Sequence, residues 1–138
     1  MSGVLLNDGQ VEFLNVMFKN VTPPDPLYLG LMNETANPAL SAQIGSGITE
    51  VTGTGYARIP VARNTDWTLA GQIITGSQKT FTVGAGGWTS VNGYFVATAS
   101  SGNNAIMAEA FAAAQQGNKL EGDTVKITPK YEQKDDSE

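Results

Sequence analysis

Apolar positions along this chain recur at two periods, and the change of period divides it. Near the start, Val11, Leu14, Phe18 and Val21 follow one another at three- and four-residue steps, with Phe13 and Met17 flanking the stripe. Glu12, Asn15 and Lys19 lie on the other side. This pattern predicts an amphipathic helix over residues 8–20 with its stripe on a core. Asn7 stands where a side chain caps the first free amides, and Gln10 stands three residues on, where it can reach back. Pro23-Pro24-Asp25-Pro26 ends the helix by removing donors and forcing extended geometry. Ahead of the helix, Val4, Leu5 and Leu6 have no evident strand partner and read as an N-terminal arm.

From Leu27 onward the period shortens towards two. Leu27 to Met32 is a strand, and Asn33 to Gly47 a long polar loop. Thr49 to Val51 is a short strand candidate. Tyr56 to Val61 alternates, with Pro60 confining it to an edge. Asp66 to Leu69, Gln72 to Thr75 and Lys79 to Val83 follow as short strands. Val91 to Phe111 then reads as the central hairpin: Tyr94 to Ala97 is almost continuously apolar, as in a strand covered on both faces. Ser100 to Asn104 supplies its turn, and Ala105 to Phe111 its return strand. Ala112 to Asp123 reads as a polar connection. Val125, Ile127, Pro129 and Tyr131 alternate inward against Lys126, Thr128 and Lys130. Roughly seven or eight short strands behind one helix predict a mainly β fold, an antiparallel two-sheet β-sandwich of jelly-roll type. Residues 1–131 form one such domain, with arm and helix in 1–20, and residues 132–138 a disordered charged tail.

Composition narrows the chemistry. With 138 residues the chain is sized for one domain. It has no Cys and no His, which excludes disulfides, thiol nucleophiles, Cys-ligated metal and the usual general base. Eight basic against thirteen acidic residues leave a net charge of −5, unsuited to a main role on nucleic acid. No apolar run approaches a membrane span. Met1 to Leu6 lacks the basic start and cleavable apolar segment of a signal peptide, so a product of the cytoplasm is expected.

Specific chemistry finds little to stand on. Gly71 to Ser77 has the glycine spacing of a phosphate loop, but Ser77 stands where the lysine belongs. Gly84 to Gly87 precedes a strand, so no helix dipole supports an anion there. Glu109 inside an apolar strand is either a carboxyl tuned by burial or a group facing solvent or an arginine such as Arg58 or Arg63. Glycosidic chemistry would need a second carboxylate within about 10 Å, and no motif nominates one. Glu121 and Asp123 flank Gly122 as calcium ligands or, more simply, as a turn. Trp67 and Trp88 either stack on sugar rings or pack in the domain. No catalytic residue, metal or cofactor is expected.

Several stretches, read in order, resemble a group of small tailed-bacteriophage virion proteins. They are Leu5-Leu6-Asn7-Asp8-Gly9-Gln10, Leu27-Tyr28-Leu29-Gly30-Leu31, Glu50-Val51-Thr52-Gly53-Thr54-Gly55-Tyr56-Ala57-Arg58, Trp67, the Phe81-to-Val96 segment with Trp88, and Gly122 to Pro129. The resemblance runs from about residue 3 to residue 131 and implies a non-enzymatic structural protein with a β-sandwich core. Such groups include capsid decoration (cement) proteins and tail components. The first expectation is a decoration protein on the virion surface, a homotrimer seated on the major capsid protein. The alternative is a tail- or fibre-associated protein with a glycan site at Trp67 or Trp88. Val4, Leu5, Leu6, Phe13 and Met17 are the expected partner-binding residues, on an arm and helix apolar over a wider arc than one core face needs.

Overall fold

The computed structural model describes residues 3–133. Its elements run β1 (Val4–Leu5), α1 (Asn7–Phe18), β2 (Leu27–Met32), β3 (Gln43–Ile44), β4 (Gly47–Ile48), β5 (Ile59–Val61), β6 (Trp67–Ala70) and β7 (Ile73–Gly76). They continue with β8 (Lys79–Thr82), β9 (Trp88–Val91), β10 (Gly93–Ala97), β11 (Ala105–Ala110), β12 (Gly117–Lys119), β13 (Thr124–Ile127) and β14 (Lys130–Glu132). The fold is mainly β with one α-helix among the described residues, as the sequence predicts.

The expected hairpin lies at the centre. β10 pairs antiparallel with β11 on one side and β2 on the other, within a five-stranded sheet of order β1-β11-β10-β2-β5. Side chains alternate across this sheet. Leu29, Leu31, Tyr94, Val96 and Met107 enter a main core whose opposite wall includes Phe81, Trp88, Val91, Val125 and Ile127. That wall comes from the pairs β8–β13 and β9–β12, with Trp67 and Tyr131 of the β6-β7-β14 sheet packed against it. The layering is therefore sandwich-like, and the central sheet is open rather than a closed barrel.

The second face of the sheet is also covered. Met32, Phe95, Ala97, Ala105, Ala108 and Ala110 pack there with Leu6, Ala42 and Ile48. Apart from Leu6, the cover comes from the loop after β2, which is not structureless: β3 and β4 form a short parallel pair within it. Two of its side chains stand in for strand backbone against β11. Gln43 donates from Nε2 to the Ala105 carbonyl at 2.8 Å and accepts from the Ala105 N–H at 2.9 Å. Asn37 Oδ1 accepts from the Ala110 N–H at 2.9 Å. The many alanines of β11 leave room for this cover.

Several local expectations are corrected. Val4 and Leu5 are not on a free arm but pair as β1 with Ala108 and Met107; Leu6 follows, fully buried, its N–H bonded to the Ile106 carbonyl at 2.9 Å. Two residues of strand are too few to show a period, so this long-range pairing left no local trace. Asn7 begins the helix rather than capping it, and its N–H goes to the Leu40 carbonyl at 2.8 Å. The helix stops at Phe18, before the prolines, because Asn20 turns left-handed (φ 57°) and the Val21 N–H returns to the Asn15 carbonyl. The last alternating run breaks at Pro129 into β13 and β14, which pair with β8 and β7 respectively. Glu132 is the final strand residue, one position into the expected tail; residues 134–138 of that tail lie outside the described residues.

Candidate functional site

The motif Glu50 to Arg58, prominent in the sequence, is a structural latch. Arg58 is almost wholly buried and holds Glu50 with two hydrogen bonds of 2.9 Å, from Nε to Oε2 and from Nη2 to Oε1. Its other donors go to the Ala99 and Gly102 carbonyls, at 2.9 and 2.6 Å, pinning the turn of the central hairpin. The Tyr56 hydroxyl donates to Glu50 at 2.8 Å and accepts from the Leu31 N–H at 2.9 Å. Burial pushes its pKa well up, so it remains a neutral donor. A bidentate pair with all three guanidinium nitrogens engaged is a tie between segments and offers a substrate little.

Glu109 meets neither arginine named from the sequence. Tyr94 donates to its Oε1 at 2.8 Å, and burial raises its carboxyl pKa. Glu121 and Asp123 form a turn, in which Asp123 Oδ2 accepts the Leu120 N–H at 2.8 Å. Among the described residues no cluster of acidic groups has the arrangement of a metal site. Gly71 to Ser77 is the turn and second strand of the β6–β7 hairpin, not a phosphate loop.

The two tryptophans part company. Trp88 is buried, its indole N–H bonded to the Thr54 carbonyl at 2.9 Å and Tyr56 packed edge-on at 5.5 Å. It cannot stack on a glycan, and that expectation is withdrawn for it. Trp67 is half-buried at the wall of a groove of about 640 Å³ between α1 and the β6–β7 hairpin. Leu5, Phe13, Leu27, Leu69 and Ile106 make the groove chiefly apolar, with Arg63 and Asn64 at its rim.

The helix beside this groove is turned opposite to expectation. Its less exposed line is Gly9, Glu12, Asn15 and Val16, and only Gly9 is fully buried. Gly9 sits where any side chain would run into the Ile106 carbonyl and the Leu5 side chain, so glycine is what lets the helix approach β11. The stripe predicted to be core faces outward instead. Val11, Phe13, Leu14, Met17, Phe18 and Val21 are 56, 57, 52, 60, 75 and 44 % exposed. Of the expected partner-binding residues, Phe13 and Met17 thus lie on an open surface, Val4 and Leu5 are half-buried in strand pairing, and Leu6 is inaccessible. The stripe itself and Leu69, 69 % exposed, were not anticipated as surface. The readable sign was Gly9: with Glu12 and Val16 it makes the one line along the helix small enough at its start for close packing.

Comparison with known proteins places this fold. No curated protein sequence matches it. A family model described as podophage GP4 fiber I protein gp80 matches residues 7–132, from the first residue of the helix to the last strand. The chain belongs to that podophage fiber protein family and is a virion structural protein of tailed phage.

Proposed function

We propose that this chain is a fibre-associated structural protein of the virion, serving as a scaffold and attachment module without a reaction of its own. The family match over residues 7–132 carries this reading, because the family is described by a fibre. The geometry agrees in kind. Its buried polar networks tie loops to the sheet, and most of its exposed large apolar side chains are gathered on the helix and the residues just after it. The decoration role on the major capsid protein, first in order from the sequence, loses ground: it rested on a resemblance equally compatible with tail components. The threefold seat on the shell goes with it.

Quantitative mass spectrometry of purified particles, with gold-labelled antibody against the chain, tests this. Copies amounting to a small fraction of the major capsid protein, with label at the tail, are expected. Near-stoichiometric copies with label over the head would return the chain to a decoration role.

A further inference from the structure

Asn92 stands between β9 and β10, and with Gly93 it makes the one Asn-Gly pair in the sequence. Such a pair is chemically labile. With no side chain on Gly93 to hinder approach, its amide nitrogen can attack the side-chain carbonyl carbon of Asn92. The new carbon–nitrogen bond closes a succinimide ring as ammonia leaves, and water then opens the ring to aspartate or isoaspartate. We propose that Asn92 is a latent deamidation site: the fold suppresses the reaction, and the product, once formed in an opened chain, cannot retake its place.

The suppression lies in how completely Asn92 is held. Its Nδ2 donates to the Asn33 carbonyl at 2.6 Å, and its Oδ1 accepts from the Gly117 N–H at 2.9 Å. Its backbone N–H goes to the Met32 carbonyl at 3.0 Å, and its carbonyl accepts from the Phe111 N–H at 2.8 Å. One residue thus ties the ends of β2 and β11 and the start of β12 to the β9–β10 junction. To swing its carboxamide carbon towards the Gly93 nitrogen, Asn92 must break both side-chain bonds at a position only 7 % exposed. Bonds buried in this way are given up only when the structure opens. The water that would open the ring is kept out as well.

The same packing demands both members of the labile pair. A side chain at position 93 would run into the Met32 methyl group, the Glu109 carbonyl and the Ala110 backbone. At position 92 one end of the amide donates and the other accepts, which an ionised carboxylate cannot do. Aspartate there would set an oxygen against the Asn33 carbonyl and bring a charge to a buried place, where the facing groups are that carbonyl and one N–H. Isoaspartate would lengthen the main chain by a methylene group just before Gly93, whose register is fixed on both sides, by Ala110 and by Met32. Either product therefore turns a reversible opening into a permanent one.

The test follows the wild-type full chain at mildly alkaline pH, folded in buffer and unfolded in concentrated urea, by peptide mass spectrometry. Asn92 should convert in urea and at least about a hundredfold more slowly in the folded chain, because its rate follows the population of opened molecules. Asn103 is exposed in the hairpin turn and is followed by Asn104, so in urea it should convert more slowly than Asn92. Urea is then removed at intervals and native chain is separated by size exclusion. The native fraction should be almost free of converted Asn92, whereas conversion at Asn103 should divide evenly between the fractions. Asn92→Asp, expressed as such, gives a reading that needs no refolding step: it should melt well below the wild type or stay unfolded. Conversion of Asn92 as fast in the folded chain as in urea, or none in urea, overturns the proposal. So does converted chain recovered in the native fraction in its input proportion, or a wild-type melting temperature for Asn92→Asp.

Discussion

Phe95 lies over Gly30, its cross-strand neighbour, so closely that a methyl group on Gly30 would occupy the ring. The Arg58 guanidinium carbon stands 5.0 Å from the centre of the same ring. The aromatic thus joins the middle of the central sheet to the latch that holds the hairpin turn. Gly30→Ala should destabilise the domain by about 1–3 kcal/mol through overpacking. Urea unfolding checks this, and adding Phe95→Leu should relieve part of the loss; strict additivity of the two would mean that they do not share the space.

Glu50→Ala should be more damaging than a surface charge deletion, because it leaves the buried Arg58 without its carboxylate. About 3 kcal/mol is expected for breaking one side of such a pair. Arg58→Lys should also destabilise, since an ammonium cannot reproduce the paired hydrogen bonds. Denaturant midpoints for the single and double variants measure the coupling.

Leu6→Ala should cost about 2–5 kcal/mol, the range for emptying a fully buried leucine site. Phe13→Ala and Met17→Ala, on the open face, should each change the melting temperature little at concentrations where the chain is dispersed. Thermal unfolding of the three variants separates core from surface.

Two carboxyl groups should bend the pH profile in opposite directions. The Ala62 N–H, then Lys79 and Ser77, hold the Asp66 pKa below its ordinary value. A depressed folded pKa stabilises above the unfolded value of about 3.9 and is lost as pH falls through the folded one. Burial raises the Glu109 pKa, so its contribution is full below the unfolded value of about 4.3 and is lost as pH rises through the folded one. Asp66→Asn should therefore flatten the acid side of the stability curve and lower stability at neutral pH. Glu109→Gln, which keeps an acceptor for Tyr94, should flatten the decline above the carboxylate range. Melting temperatures from pH 3 to pH 8 check both.

Where a sequence signal was local, it carried. Continuous apolar residues from Tyr94 to Ala97 foretold a strand buried on both faces, and Pro60 foretold an edge strand. What depended on distant partners did not show. Gln43 and Asn37 looked like loop polarity until β11 stood opposite them, and β12 lay unseen in a polar connection until paired with β9. The helix failed differently: its periodicity was real, but period alone does not say whether a stripe faces the chain's own core or leaves it. For the same reason Phe13 and Met17 were identified as surface while Leu14 and Phe18 were assigned to the interior.

The outer margins of the central sheet have a consequence for how copies can join. At one margin β5 carries Pro60, which has no N–H to offer a further strand. At the other, β1 and the side chains of Gln43 and Asn37 already occupy backbone groups along β11. Such a sheet resists growth by strand addition, the route by which β-rich proteins crowded at one place run into disordered polymer. Stripping Val4 and Leu5 away would unseal the β11 margin, and the expected result is insoluble aggregate and not a shorter soluble domain.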